Sequence, residues 1–403
     1  MTEVIRELDK PWEDGIAQTI TFIVTKDCQL ACKYCYLVGK NANERMSLDM
    51  AKKAVDYILG HPEHFVRRSV VWDFIGGEPF LEIQLIDSIC DYIKTEMFRL
   101  NHPWFDSYRF SFSTNGINYA SEPVQDFIKK NHSHLSIGIT IDGTQVKHDM
   151  NRVYKGTGKG SYLDVVRNIS LWLKQFENES ATKVTISSND IPFIKDSVLH
   201  LFSLGIREVD INCVFENVWK EGDDVLFQEQ LISLADAIIE QDLYTNYACS
   251  FFSEQIGKPM RDNQNWCGAG VMLSIDAGGN FYPCTRFAGY SLRSKPPIII
   301  GNVRDGIDNN KLRPFLTLDR TTQSTQECID CEVASGCAWC QGENYDAADT
   351  ATIYQRSTAI CKMHKARVRA NNYYWNKLYR KLEIEGLREE YEKSKRSVKQ
   401  EKC

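Results

Sequence analysis

The chain has 403 residues, of which 43% are apolar and 25% charged, and a formal net charge of −6. This balance is typical of a globular protein and gives no reason to expect nucleic acid or a membrane as a partner. The polar first ten residues exclude a signal peptide, and no apolar run reaches the roughly 18–20 residues that span a bilayer. We therefore expect a cytoplasmic protein.

The first two thirds of the chain alternate strand-like and helix-like segments, which is typical of repeated βα units. The predicted strands are Gln18–Thr25, Ser69–Ile75, Tyr108–Thr114, His134–Ile141, Lys183–Ser188 and Glu208–Phe215. The predicted helices are Leu48–Leu59, Leu81–Leu100, Val124–Lys130, Tyr162–Gln175 and Ile194–Leu204. Six such units predict an α/β fold, a partial (β/α)6 TIM-like barrel whose active site lies at the carboxyl ends of its strands.

Three domains are predicted. The first domain, residues 1–247, is the barrel, and its last element is a helix at about Asp224–Tyr247. Residues 248–365 are turn-rich and cysteine-rich, with short strands at Val271–Ile275 and Asn280–Tyr282, and we expect bound metal to hold this region together. Residues 366–403 form a charged helix rich in Lys and Arg, which either docks an acidic leader peptide or is a solvated helix with internal ion pairs.

The fourteen cysteines are the unusual feature of the composition. Without a secretion signal they are more typical of metal binding or redox chemistry than of disulfides. Cys28, Cys32 and Cys35 follow the first predicted strand with the spacing C-x3-C-x2-C. Three thiolates in so short a loop can hold a cubane iron–sulfur cluster and leave one iron open for a substrate or cofactor. The alternatives are a structural zinc site and a ferredoxin-like cluster with a distant fourth ligand.

This motif, with Tyr34 before its last cysteine, resembles the radical S-adenosylmethionine superfamily. The resemblance implies that Cys28, Cys32 and Cys35 carry the catalytic [4Fe–4S] cluster and that S-adenosylmethionine binds its open iron. Further matches follow in chain order, and they imply a cofactor-binding role for Tyr34, Gly76, Gly77, Glu78, Pro79, Ser113, Asn115, Thr140 and Arg152. In the family, the Gly-Gly-Glu-Pro turn binds the methionine ammonium and the arginine pairs with the carboxylate. Ile75 replaces a glutamine found in some members, so that polar contact is missing.

The last third resembles the SPASM extension of the same superfamily, which carries two auxiliary clusters and makes three [4Fe–4S] clusters in all. The resemblance implies that Cys328, Cys331, Cys337 and Cys361 ligate the outer cluster. It implies that Cys267, Cys284 and Cys340 ligate the inner one, although the usual x3 spacing before Cys340 is shortened to x2. Three protein ligands leave an inner iron open for a substrate thiolate. Alternatively Cys249 completes the set, or the two C-x2-C pairs bind zinc.

Enzymes with SPASM extensions mostly modify peptides. Anaerobic sulfatase maturases make formylglycine and carry an aspartate base directly after the second cysteine of the inner cluster, where this chain has Thr285. Thioether-forming maturases favour an open inner iron. We therefore predict sulfur-to-carbon cross-linking of a ribosomal precursor peptide with a leader, with formylglycine formation as the alternative and a non-catalytic electron carrier as a different class. A flavodoxin- or ferredoxin-type one-electron reductant is implied. Only seventeen residues precede the first predicted strand, too few for a separate leader-binding domain.

Overall fold

The computed structural model describes residues 17–39, 43–176, 180–254, 256, 267–334, 337 and 340–393. The barrel part contains, in chain order, β1 (Gln18–Thr25), α1 (Leu48–Gly60), β2 (Val70–Gly76), α2 (Ile83–Arg99), β3 (Tyr108–Thr114), α3 (Glu122–Asn131), β4 (Leu135–Ile139), α4 (Gln145–Asn151), α5 (Tyr162–Gln175), β5 (Ala181–Ile186), α6 (Ile194–Ser203) and β6 (Glu208–Cys213). The predicted α/β barrel architecture is confirmed by this alternation.

The elements that follow the barrel strands are short, apart from the first and the last helix. They are α7 (Asp223–Glu240), β7 (Ala248–Cys249), β8 (Leu273–Ile275), β9 (Asn280–Tyr282), β10 (Gly301–Asn302), β11 (Gly306–Ile307), α8 (Asn309–Thr317), α9 (Arg320–Gln323), α10 (Gln326–Ile329), α11 (Gln341–Ala347) and α12 (Cys361–Ile384). No helix among the described residues has the length and apolarity that crossing a bilayer would require.

Strand β2 illustrates why these segments form a two-sided sheet. Its burial alternates residue by residue, so that Trp72 and Phe74 are fully buried under the helices while Asp73 faces the partly accessible barrel interior. Phe74 stacks between Phe22 of β1 and Phe112 of β3, at ring-centroid distances of 5.6 and 5.4 Å. The apolar layer between sheet and helices therefore fixes the register of the strands whose carboxyl ends form the site.

The six barrel strands do not form one continuous hydrogen-bonded sheet. β1 to β4 pair in parallel in one sheet, and β5, β6 and β7 pair in parallel in another. Between β4 and β5, the hydroxyl of Thr182 donates to Ile139 O at 2.7 Å and accepts from Ile141 N at 3.1 Å. A side chain therefore replaces the backbone ladder at this seam, whereas the sequence predicted six equivalent parallel units.

The cysteine-rich region is joined to the barrel through its strands. β8 pairs in parallel with β1, with Phe22 opposite Ile275, and β9, β10 and β11 extend the same sheet antiparallel. The sequence predicted a small region held together by metal. The structure adds a backbone ladder that attaches it directly to the strand before the first cysteine motif.

Helix α12 lies along α7, and its cations bind groups of the α7 region. Lys377 Nζ lies 2.7 Å from Asp236 Oδ1, and Lys381 Nζ lies 2.6 Å from Asp242 Oδ1. Leu378 and Leu382 are buried in the main core. The helix is therefore packed on α7, whereas the sequence offered a solvated helix with internal ion pairs or a helix that docks a leader peptide.

Candidate active site

The first cysteine motif occupies the loop after β1. Backbone hydrogen bonds hold this loop against the segment after α4, from Ala31 N to Val153 O (2.8 Å) and from Lys33 N to Asn151 O (3.1 Å). Cys28 is buried, while Cys32 and Cys35 are half-buried. The carboxyl end of the first barrel strand thus presents three thiols on one loop, as predicted from the sequence.

The Gly-Gly-Glu-Pro turn packs directly under that loop. A Cβ on Gly76 would collide with the carbonyl of Thr25, and one on Gly77 with the carbonyl of Asp27. The backbone N–H groups of Gly77 and Glu78 donate to these two carbonyls at 3.0 and 2.9 Å. Close approach of two backbones therefore explains both glycines, independently of any cofactor.

Glu78 lies at the centre of the buried polar contacts beneath the loop. Its Oε1 accepts hydrogen bonds from Thr114 Oγ1 (2.6 Å) and Phe80 N (3.1 Å), and its Oε2 accepts one from Asn115 N (2.7 Å). Burial raises the pKa of Glu78, while these bonds and Arg152 oppose the rise. A carboxylate has about four acceptor sites, so one remains for an ammonium group.

Arg152 ends α4 and is buried. Its Nη1 donates to the Tyr34 hydroxyl at 2.9 Å, and that hydroxyl donates to Asp142 Oδ2 at 2.6 Å. Burial opposes the charge of Arg152, but Tyr34, Cys32 and Asp142 raise its pKa well above the usual value, so it stays a cation. Asp142 also lies 3.8 Å from the fully buried Lys147 Nζ.

Two buried donors here fit the amino-carboxylate end of S-adenosylmethionine. In the described part of the chain, Arg152 Nε and Gln29 Nε2 have no hydrogen-bond partner. A buried cation with an unused N–H is suited to a carboxylate, because such a donor is costly to leave unsatisfied. The residues present therefore fit the cofactor that the sequence implies.

The other predicted cofactor residues are distributed around the same strand ends. Pro79 is buried, and Asn115 Nδ2 lies 4.0 Å from Cys28 Sγ. Thr140 is half-buried and its N–H donates to Thr114 O. Ser113 is exposed toward the barrel interior, where its Oγ lies 3.5 Å from Lys183 Nζ. The cofactor-binding roles assigned to these four residues stay predictions, as do those of Tyr34, Gly76, Gly77, Glu78 and Arg152.

The cysteines of the last third fall into two sets. The inner group is Cys267, Cys284 and Cys340, and burial followed by the neighbouring Cys340 raises the pKa of each of the other two. The outer group is Cys328, Cys331, Cys337 and Cys361. Burial raises the pKa of Cys337, and the other three members lie close enough to raise it further. The structure thus brings together the sets that the resemblance implied.

Cys249 lies apart from the inner group. It is buried in β7, where burial raises its pKa to about 12 and the charges acting on it are those of Arg367 and Asp210. Arg367 in turn donates to Phe251 O at 3.3 Å. The alternative in which Cys249 completes the inner set therefore has no support in this arrangement.

No three Cys, His, Asp or Glu side chains in the described ranges are arranged to hold a single metal ion, which is what a zinc ribbon would use. The zinc-ribbon alternative therefore gains no support from the structure. The thiolates of a cubane cluster bind separate corners of the cluster, so this finding does not address them.

Tyr36 lies between the first motif and the inner group. Burial raises the pKa of its hydroxyl to about 12. Smaller effects on this pKa come from a hydrogen bond with Thr285 and from the charges of Arg286, Cys35 and Cys284. The guanidinium of Arg286 covers the Tyr36 ring at 4.7 Å. The two cysteine sites are therefore neighbours, separated by aromatic and cationic side chains.

A cavity of about 420 Å³ opens beside these groups. Its walls include Tyr34, Cys35 and Tyr36 of the first loop, Ser187 after β5 and Glu216 after β6. Because it lies at the carboxyl ends of the strands, the cavity is where barrel enzymes place their substrates. Sequence reasoning missed Thr114, Asp142 and Glu216, although each follows or ends a barrel strand and that position was an available signal.

Comparisons with known proteins agree with this site. A family model described as a 4Fe-4S single cluster domain matches residues 14–165, which include the first motif, the Gly-Gly-Glu-Pro turn and Arg152. The chain is also 23% identical over 348 residues to the serine-type anaerobic sulfatase-maturating enzyme of Bacteroides thetaiotaomicron, covering 77% of this chain and 78% of that protein. These similarities agree with the resemblance to radical S-adenosylmethionine enzymes with a SPASM extension that the cysteine motifs indicate.

The chain is 25% identical over 300 residues to an uncharacterised protein of Methanocaldococcus jannaschii, covering 74% of this chain and 92% of that protein. Its fold is similar to the solved structure of native anSMEcpe with bound AdoMet and Cp18Cys peptide. The TM-score is 0.67 at 18% identity, covering 89% of this chain and 99% of that one. At that identity the likeness shows the fold alone, and it agrees with the predicted barrel with a C-terminal region.

Proposed function

We propose that this enzyme installs thioether cross-links in a ribosomally made, cysteine-containing precursor peptide. The observation that carries the proposal is the cavity beside the first cysteine loop, one wall of which is Tyr36, a residue close enough to Cys284 of the inner group to feel its charge. The inner group has three cysteines, and Cys249 lies elsewhere. Three thiolates around a cubane cluster leave a position that a substrate thiolate fits.

The residues around the first motif have separate tasks in this scheme. Cys28, Cys32 and Cys35 hold the first cluster, Arg152 binds the methionine carboxylate, and Glu78 binds the ammonium group. When bound, the cluster and S-adenosylmethionine supply the 5′-deoxyadenosyl radical that removes a hydrogen atom from a substrate carbon. Tyr34 fixes the guanidinium of Arg152 through its 2.9 Å bond. The inner and outer groups would hold two further clusters, and a one-electron reductant of the flavodoxin or ferredoxin type would supply electrons.

A peptide substrate is supported by two of the similar proteins. The sulfatase-maturating relative is named for action on a protein, and the anSMEcpe structure holds a peptide together with AdoMet. The cavity here opens beyond Tyr36 to Val38, Val214 and Val218. Val38 and Val218 are exposed at 53% and 42%, which gives the cavity apolar edges suited to an extended chain.

Formylglycine formation is the second candidate, because a named relative catalyses sulfatase maturation. That reaction removes two electrons and two protons from one residue: one proton leaves within the hydrogen atom taken by the 5′-deoxyadenosyl radical, and in the family an aspartate after the second inner cysteine accepts the other. Here Thr285 occupies the position, and its hydroxyl is hydrogen-bonded to Tyr36. A hydroxyl is a poor proton acceptor at neutral pH, which favours the thioether product.

Mass spectrometry of the product distinguishes the two reactions. Reconstituted enzyme is incubated with reductant, S-adenosylmethionine and a cysteine-containing precursor peptide. A thioether product loses two hydrogens per bridge, keeps its sulfur and resists thiol alkylation, whereas formylglycine formed from cysteine has lost the sulfur. Loss of sulfur would refute the thioether proposal. A protein that makes no 5′-deoxyadenosine under these conditions would contradict the catalytic proposal and favour the electron-carrier alternative.

A further inference from the structure

Glu216 is the carboxylate of the cavity. Of the described residues that line it, Glu216 is the one acidic side chain. It follows the end of β6, and its side chain is 19% exposed. Its Oε1 lies 2.9 Å from Arg286 Nη2, and no described residue hydrogen-bonds to its second oxygen. The cavity therefore contains one carboxylate oxygen that is held in place and another that is available.

Arg286 determines where that carboxylate lies. Its Nη2 also donates to Glu343 Oε2 at 3.1 Å, and its guanidinium covers the Tyr36 ring. A guanidinium stays protonated in proteins, so Arg286 is a permanent cation that both carboxylates can bind. Arg286 stands two residues after Cys284, so Glu216 is held beside the inner group by a rigid planar partner.

Glu343 provides an internal comparison. It bonds to the same guanidinium, but it is 3% exposed and does not line the cavity. Arg293 Nη2 binds both of its oxygens at 2.6 Å. Two carboxylates thus share Arg286, and one of them faces the cavity.

We propose that Glu216 is the catalytic base that accepts the proton of the substrate thiol. Chemistry that turns a thiol into a carbon–sulfur bond must release this proton, and Thr285 does not supply a carboxylate for it. A carboxylate beside the inner group can accept the thiol proton when the substrate sulfur binds at that group. The proposal rests on the proposed oxidation of a peptide thiol, and it applies whether the product is a thioether or formylglycine.

Atoms and electrons balance in the formation of a thioether bridge. The carbon loses one hydrogen atom to the 5′-deoxyadenosyl radical, which becomes 5′-deoxyadenosine. The thiol loses its proton to Glu216, and the carbon–sulfur bond forms from the thiolate and the carbon radical. The one electron left over passes to an iron–sulfur cluster as acceptor. Glu216 returns the proton to water when the product leaves.

Other charged groups share the space around Glu216. Lys33, Lys220 and Arg293 line the same cavity, and Lys220 Nζ donates to Asn189 Oδ1 at 2.9 Å. With Arg286 they make the surroundings of Glu216 predominantly cationic. Such surroundings attract the thiolate that remains after proton transfer.

The test compares Glu216→Gln with Glu343→Gln in the reconstituted enzyme, using a cysteine-containing precursor peptide. Loss of a general base lowers the rate by about 10²–10⁴-fold, so Glu216→Gln should form the product at least about 100-fold more slowly. It should keep its iron content, bind the peptide with unchanged Kd and still make 5′-deoxyadenosine without product. Glu216→Asp, which retains a carboxylate, should give an intermediate rate. Glu343→Gln should stay within about threefold of the wild-type enzyme.

Two results would overturn the proposal: wild-type product formation by Glu216→Gln, or equal losses in Glu216→Gln and Glu343→Gln, which would indicate a purely structural ion pair. If Glu216→Gln loses iron, the rate per bound cluster is measured in Glu216→Ala as well, and a wild-type rate per cluster in either variant decides against the base. Failure of the proposed function is seen separately in the wild-type product. If the wild-type product has lost its sulfur and Glu216→Gln is inactive, the proposal of a thioether product is wrong, but the assignment of Glu216 as the base is supported.

Discussion

The hydroxyl of Tyr34 donates a 2.6 Å hydrogen bond to the carboxylate of Asp142, which lies 108 residues further along the chain. Asp142 follows the fourth barrel strand, and Tyr34 belongs to the loop after the first. The same hydroxyl accepts from Arg152. This contact links three segments of the predicted cofactor site and explains how the buried guanidinium keeps one orientation.

Asp142→Asn should therefore weaken S-adenosylmethionine binding. A hydrogen bond to a charged group contributes about 1.5–3 kcal/mol, which corresponds to roughly 10–100-fold in Kd. Isothermal titration of the reconstituted protein measures this change. Tyr34→Phe, which removes both bonds of the hydroxyl and leaves the backbone in place, should act in the same direction. An unchanged Kd in both variants would contradict a positioning role for Asp142.

Replacing Cys28, Cys32 and Cys35 together by Ala should abolish cleavage of S-adenosylmethionine. If the chain holds three cubane clusters, the variant should also lose about one third of the bound iron. Iron analysis and chromatography of 5′-deoxyadenosine measure the two effects. Cys90→Ala is the matched control, because Cys90 is buried in α2 away from both cysteine sites. Formation of 5′-deoxyadenosine by the triple variant would refute the assignment.

Cys249→Ala should keep the inner cluster. The thiol is buried in β7, and the charges that act on it are those of Arg367 and Asp210 rather than those of the inner cysteines. The expected cost is a small loss of stability, about 1 kcal/mol, from the cavity left in the core. Cys284→Ala should lose the cluster instead. Electron paramagnetic resonance of the reduced proteins compares the two, and loss of the inner signal in Cys249→Ala would show that a fourth protein ligand exists.

Gly77→Ala should destabilise the first cysteine loop. The added methyl group would collide with the Asp27 carbonyl, and relieving such a clash typically costs about 1–3 kcal/mol. Gly60→Ala is the control, since no atom lies within 4 Å of the added Cβ and the position ends a helix. Chemical denaturation of the cluster-free chains gives both values. Equal unfolding free energies would contradict the packing explanation of this glycine.

Truncation after Lys381 should leave the affinity for a leader peptide unchanged within about twofold, because the cations of α12 bind groups near α7. It should lower the unfolding free energy by about 1–3 kcal/mol through loss of the buried Leu382. Fluorescence anisotropy of a labelled leader and thermal unfolding provide the measurements. A large loss of affinity would restore the alternative in which this helix docks the leader.

The local pattern predicted the strands of the barrel well. β1 and β3 have the bounds that their β-branched and aromatic residues indicated, because a buried sheet needs those residue types. The seam between β4 and β5 could not be predicted, since it depends on where the Thr182 hydroxyl points. Glu216 was missed for a similar reason. Its position after a strand was visible, but its partnership with Arg286, seventy residues away, is a property of the fold.

The parallel pairing of β8 with β1 has a mechanical consequence. One backbone ladder joins β1, which precedes the first cysteine loop, to β8 and β9. Cys267 precedes β8 in the chain, and Cys284 follows β9. A hinge between the barrel and the cysteine-rich region would have to break these backbone hydrogen bonds. Under the proposed function, a peptide would then enter and its product leave by movement of loops at the rim, and the distance between the first cysteine loop and the inner group would stay constant through each turnover.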